Sequence, residues 1–127
     1  FEAAMRYAQQ RETFGRPIYD HQAIQCKLAG MATKLQAARL MTYDAAKRAD
    51  LGERVDLEAG MAKLFASEAA FEIATDALRI HGGNGYTTEF PVERYFRDTP
   101  LMIIGEGTSE IQKMVIARKL RDRYPVE

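Results

Sequence analysis

Leu57, Leu64, Phe71 and Leu78 recur every seven residues, with Met61 filling a step, and the first three are each followed three positions later by a small residue, Gly60, Ser67 and Ala74. No other pattern in the chain restricts its fold as much. Apolar side chains at this spacing belong to a long α-helix, and the small residues beside them let a neighbouring helix approach closely. Such a helix needs others packed around it, and the preceding stretch supplies one. From about Gln22 to Ala49, Ile24, Leu28, Met31, Leu35 and Ala38 alternate at steps of four and three, while Lys27, Lys34, Asp44, Lys47 and Arg48 fall off the stripe. Asp50 to Arg54, centred on Gly52, forms a polar break between the two helices.

The four Pro and nine Gly fall mostly in three clusters, at residues 15–17, 82–91 and 100–107. After the second cluster the sequence predicts a short helix from Pro91 to Arg97, with Pro in its first turn, and then a separate apolar segment from Leu101 to Ile104. Thr108 is a plausible N-cap for a closing helix, roughly Ser109 to Arg123, with Ile111, Met114, Val115, Ala117 and Leu120 expected to point inward and basic residues at its end. Phe1, Met5 and Ala8 already stand at helical spacing without a preceding Met or capping residue, so the chain reads as a fragment that starts inside a helix. The expectation is one all-α domain over residues 1–127, a four-helix bundle of the up-down type. No alternation is long enough to argue for a sheet.

Lys plus Arg and Asp plus Glu number 18 each, and the basic residues form no block, so the footprint of a nucleic-acid or membrane-surface binder is missing. No apolar run approaches the ~20 residues of a membrane span. The single Cys26 reads as a small core residue rather than a nucleophile. Neither His21 nor His81 has a Glu three positions before it, which rules out the Glu-x-x-His pairs of a di-iron bundle, and no metal site is expected. His81, at a helix end, could simply complement the dipole.

Three places could carry chemistry. Glu106 lies between Gly105 and Gly107, straight after an apolar segment and just before the closing helix. Partial desolvation there would raise its pKa towards the range a general base needs, although an acid complementing a helix N-terminus is an equally ordinary role. Arg11-Glu12-Thr13-Phe14-Gly15 gathers a cation, a hydroxyl and an aromatic ring suited to a phosphate and a flat ring system, or else Arg11 caps a helix. Gly82-Gly83-Asn84-Gly85 could cradle a phosphate, but glycines that follow a helix more simply end it. Glu68, on the apolar side of its helix, needs a structural partner.

Read in order, Arg11-x-x-Phe14-Gly15, His21-Gln22, Met61-Ala62-Lys63, Ser67-Glu68, Ile80-His81-Gly82-Gly83-Asn84-Gly85-Tyr86, Pro91-Val92-Glu93-Arg94-Tyr95, Arg97-Asp98 and Glu106-Gly107-Thr108-Ser109-Glu110-Ile111-Gln112 resemble the carboxy-terminal domain of acyl-CoA dehydrogenases. The resemblance covers nearly the whole chain. It implies an FAD-dependent enzyme of fatty-acid β-oxidation type that converts an acyl-CoA thioester to the trans-2-enoyl-CoA. Glu106 matches the family's catalytic base and Gly107 a position whose backbone lies beside the thioester. Thr108 and Glu110 match positions next to the flavin bound with their own subunit, whereas Arg11, Thr13, Phe14, His21, Gln22, Gly82 and Gly83 match positions reaching the adenosine and pyrophosphate of a neighbour's FAD.

A homo-oligomer, dimer or tetramer, is therefore implied, with an electron-transfer flavoprotein as the usual acceptor. The compartment would be the cytoplasm of a bacterium or the mitochondrial matrix of a eukaryote. Two residues depart from the family's pattern: Arg79 stands where Gln is usual, placing an added cation near the cofactor group, and Gly105 stands where many straight-chain enzymes carry Tyr. The missing side chain at Gly105 would widen the acyl pocket for branched, cyclic or bulky groups. Without the family's amino-terminal and central domains the chain is expected to be inactive by itself. The alternatives are a non-catalytic helical module for self-association, or a relative that passes electrons to oxygen.

Overall fold

In the computed structural model, which describes residues 1–126, the chain forms α1 (Glu2–Gln10), a small antiparallel hairpin of β1 (Glu12–Thr13) and β2 (Arg16–Pro17), α2 (Gln22–Asp50), α3 (Asp56–His81), α4 (Val92–Ile104) and α5 (Ser109–Arg123). Short 3₁₀ turns at Ile18–Asp20 and Gly82–Tyr86 link β2 to α2 and follow α3. The domain is all-α as expected, with five helices rather than four among the described residues.

The fifth is α4, expected only as a short helix, which runs straight through Pro100 instead of ending near Arg97. Proline cannot donate to the carbonyl four residues back, which is the usual reason a helix stops there. Here the Thr99 hydroxyl donates to that carbonyl, Phe96 O, at 3.2 Å. The Leu101 to Ile104 segment is thereby the last turn of α4 and not a separate element.

Every other helix packs on α3. Lys27 pairs with Asp76 at 2.7 Å and Lys34 with Glu72, which sets α2 antiparallel to it. Phe71 stacks on Phe96 at 5.7 Å, and Lys63 reaches Ile103, so α4 is antiparallel as well. On α5, Arg123 meets Glu58 and Lys113 meets Glu68, giving Glu68 the partner it needs.

The small-residue seam does what its spacing suggests: Gly60, Ser67 and Ala74 are all buried, and a Cβ on Gly60 would come within 3.3 Å of Gln112 and Ile116 on α5. The larger Leu64, Phe71 and Leu78 are half-buried, because the closest helix approaches are at the small residues. The apolar core lies towards one end, where Ala4 and Ala8 of α1, Leu28 and Met31 of α2, Ala69, Ile73, Ala77 and Ile80 of α3, and Val92 of α4 meet.

Two burial expectations fail. Cys26 is exposed, since it falls off the α2 stripe that carries Leu28 and Met31. On α5, Ile111, Met114, Ala117 and Leu120 are exposed, while Gln112 and Ile116 are half-buried against α3 and Val115 is half-buried as expected. With α3 covering it along one side, α5 keeps a second apolar stripe turned outward.

Candidate active site

Glu106 sits on the loop between α4 and α5, at the mouth of an open cleft of about 580 Å³ between α3 and α4. Ala66, Ser67 and Ala70 form the α3 side, Leu101 and Met102 the α4 side, and Lys63 and Gly105 lie next to Glu106. Small residues on one wall and apolar ones on the other make room for an apolar chain. Glu106 adopts φ +54°, a left-handed conformation that costs a non-glycine residue about 1 kcal/mol or more. Gly107 follows at φ +85°, where glycine fits without that penalty.

Hydrogen bonds hold this loop on all sides. Gln112 Nε2 donates to Glu106 O at 3.0 Å, and Lys63 Nζ donates to Gly107 O at 2.7 Å and to Ile103 O at 3.3 Å. The Gly105 N–H donates to Leu101 O at 2.7 Å, ending α4. Thr108 caps α5 as its sequence position suggests, its Oγ1 accepting from the Ile111 N–H at 3.3 Å.

The acid that complements this helix start is Glu110, whose pKa is lowered by its own backbone N–H and then by the Thr108 hydroxyl. That job is therefore filled, and among the described residues the Glu106 carboxylate has no hydrogen-bond or ion-pair partner. The desolvation expected at Glu106 is not found: the residue is exposed at the mouth of the cleft.

The other candidate residues gather at the opposite end of α3. In the hairpin, Phe14 turns at φ +53° and is 96% exposed, and Arg11, also exposed, has no ion-pair partner among the described residues. His21 ties the hairpin to the start of α2: Thr13 Oγ1 is 3.1 Å from Nε2, and Arg16 Nη2 is 3.1 Å from Nδ1. A guanidinium can only donate, so Nδ1 accepts, Nε2 carries the proton and donates to Thr13, and the Thr13 hydroxyl proton is left for another acceptor. Gln22 is exposed beside it.

Gly82 ends α3 at φ +58°, the terminating role glycine is suited to, and both it and Gly83 are exposed with open space around them. Arg79 reaches Asp76 at 3.4 Å, on the same carboxylate oxygen that holds Lys27 of α2. His81 is buried, 3% exposed, and its Nδ1 donates to Ala77 O, a carbonyl near the C-terminal end of α3, at 2.8 Å, as its place at a helix end suggests, while its ring stacks on Tyr7 at 4.2 Å. Asn84 in turn donates to the Tyr7 hydroxyl at 2.9 Å. The ends of α1 and α3, the hairpin and the start of α2 thus form one cluster. Along α3, Lys63 and Gly82 are roughly 28 Å apart at about 1.5 Å per residue.

Lys63 and Gln112 are the residues that sequence reasoning did not single out. Both occur inside recognisable segments, but no spacing rule joins Lys63 to a carbonyl 44 positions later.

Residues 1–121 match the model of the acyl-CoA dehydrogenase C-terminal domain. The chain belongs to the acyl-CoA dehydrogenase family, as this helical domain of it. Among its relatives, a 3-(aryl)acrylate reductase of Clostridium sporogenes is 55% identical over 94% of this chain and 32% of the relative. The CarC subunit of a caffeyl-CoA reductase-Etf complex from Acetobacterium woodii is 48% identical over 94% of the chain and 31% of the relative. The solved butyryl-CoA dehydrogenase of Megasphaera elsdenii superposes with a TM-score of 0.92 at 40% identity, over 94% of this chain and 31% of that one. The chain spans about a third of the length of the proteins it matches.

Proposed function

We propose that this chain is the catalytic-base domain of a flavin-dependent enzyme acting at the α and β carbons of an acyl-CoA thioester. The observation that carries this reading is the Glu106 carboxylate, unpartnered among the described residues and held on a tethered loop at the mouth of an apolar cleft. A carboxylate oxygen there takes the α proton in the dehydrogenation direction and returns it in the reductive one, the direction in the names of the two relatives above. Bound FAD would supply the acceptor for the β hydrogen, a role no side chain can fill. Gly107, whose carbonyl is engaged by Lys63, would place its backbone beside the substrate thioester.

The second cluster fits an adenosine diphosphate group: a guanidinium at Arg11 without an ion pair among the described residues, a free hydroxyl proton at Thr13, an exposed ring at Phe14 and open backbone at Gly82 and Gly83. His21 holds the Thr13 hydroxyl in place, and Gln22 and Arg79 flank the cluster. Thr108 and Glu110 would hold the flavin on the Glu106 side. The ~28 Å along α3 supports the reading that these two ends serve different cofactor molecules, so that a second copy of the chain completes each site. The outward apolar stripe of α5 suits that assembly, and the Etf complex of the Acetobacterium relative supports an electron-transfer flavoprotein as redox partner. Burial of the exposed Glu106 is left to the rest of the enzyme, and the chain alone is inactive.

Gly105, with no side chain at the cleft mouth, suits bulky acyl groups, and the aryl names of both relatives agree with that. In the full-length enzyme, Glu106→Gln should lower acyl-CoA turnover on the order of 10²–10⁴-fold with flavin retained; unchanged turnover would reject Glu106 as base. A panel of acyl-CoA thioesters tests the pocket, and strict preference for short straight chains would reject a bulky substrate.

A further inference from the structure

The ammonium of Lys63 is half-buried beneath the Glu106 loop, and the hydrogen-bond acceptors it has are two main-chain carbonyls, Gly107 O and Ile103 O. Among the described residues it has no carboxylate partner. A lysine spent in this way on backbone fixes shape rather than balancing charge. From the other side Gln112 fixes Glu106 O. The carbonyls of both residues that turn left-handed, Glu106 and Gly107, are thus pinned, one from α5 and one from α3. Rotation of the first plane changes ψ of Glu106 and φ of Gly107, and rotation of the second changes ψ of Gly107, so freeing either carbonyl lets the loop leave its present path and carry the Glu106 carboxylate with it.

We infer that Lys63 and Gln112 are positioning residues that hold Glu106 in its left-handed conformation and so aim its carboxylate at the substrate α carbon. The inference rests on the reading of Glu106 as the base. Lys63 also donates to one of the carbonyls left open at the end of α4, so a single ammonium joins α3, the α4 terminus and the loop. Misplacing a reacting group by about 1 Å can cost on the order of 10²-fold in rate. Loss of either tether should therefore appear in the chemical step before it appears in binding.

The test uses the full-length, flavin-loaded enzyme. Lys63→Met keeps the unbranched apolar stem and removes the ammonium donors, and Gln112→Met keeps the length of the side chain on α5 and removes its amide. Each should lower kcat per bound flavin by roughly 10- to 100-fold with KM little changed, and should slow exchange of the substrate α proton into heavy water to a similar extent. In a Glu106→Gln background, Lys63→Met should have no further effect on that exchange. If Lys63→Met does not fold, Gln112→Met decides. Variants that lose thermal stability or flavin but keep kcat per bound flavin would overturn the inference, as would an undiminished Lys63 effect in the Glu106→Gln background. Glu106→Gln alone with normal turnover would instead overturn the base assignment, so the two failures are distinguishable.

Discussion

Phe14 and Glu106 share an unusual backbone: both are non-glycine residues near φ +53°, each next to a glycine that also turns left-handed. They are held there differently. Phe14 sits at the tip of a hairpin whose own strand pairing, Glu12 with Pro17 and Thr13 with Arg16, sets the turn, and His21 close in sequence ties it down. Glu106 has no such local frame. Its conformation depends on Lys63 and Gln112, which come from two other helices. One strained residue is part of a self-contained turn, while the other reports the relative position of α3, α4 and α5.

Gly107→Ala should show this dependence most strongly. A Cβ there would lie 2.9 Å from Gln112 Nε2, at a backbone angle only glycine adopts easily. Thermal unfolding should register a loss of about 1–2 kcal/mol, and turnover should fall with it because the Gln112 tether is displaced. Retention of both would mean the loop frames itself, as the hairpin does.

Acid should loosen the other end of the α3–α5 packing next. The Arg123 guanidinium beside Glu58, which is 9% exposed, holds that carboxyl below its usual range, and Arg54 followed by Lys119 does so for Asp56. A lowered folded-state pKa stabilises above the unfolded value, near 4 for these groups, and that contribution is lost as pH falls through the folded one. Stability measured from neutral pH downward should therefore decline in acid. Glu58→Gln should cost about 1 kcal/mol at neutral pH and flatten the decline, whereas an unaltered profile would place the acid sensitivity elsewhere.

Phe14→Gly should be the mildest change. Removing an exposed ring from a left-handed position relieves about 1 kcal/mol of strain, offset by the greater unfolded-chain freedom of glycine and by loss of the edge contact with His21, so unfolding of this domain should move slightly upward or not at all, while FAD affinity of the full-length enzyme should fall. A clear drop in stability would show that the hairpin leans on Phe14 after all.

Much of the architecture was legible from spacing. The stripes of α2 and the seam of Gly60, Ser67 and Ala74 mark both long helices and their close packing, because periodicity records which side of a helix is covered. The course of α4 was not legible, since proline rules describe a lone helix and cannot register Thr99 supplying the missing donor to Phe96. Nor was the outward turn of Ile111, Met114 and Leu120, because an apolar stripe has the same pattern whether its partner lies in the same chain or another. The motif segments located Glu106, Gly107, Thr108 and the hairpin residues. Their supports, Lys63, Gln112 and the His21 tautomer, depend on contacts across the fold.

The position of α3 between the two clusters also limits how the gene can change. Inserting one codon between Lys63 and Gly82 would rotate everything beyond it by about 100° and advance it by about 1.5 Å, so that the Lys63 end or the Tyr7–His81 end would lose its alignment. An insertion of seven codons nearly restores the phase but lengthens the span by about 10 Å. Substitutions on the outer face of this helix are tolerable one at a time, whereas a change in its length is not.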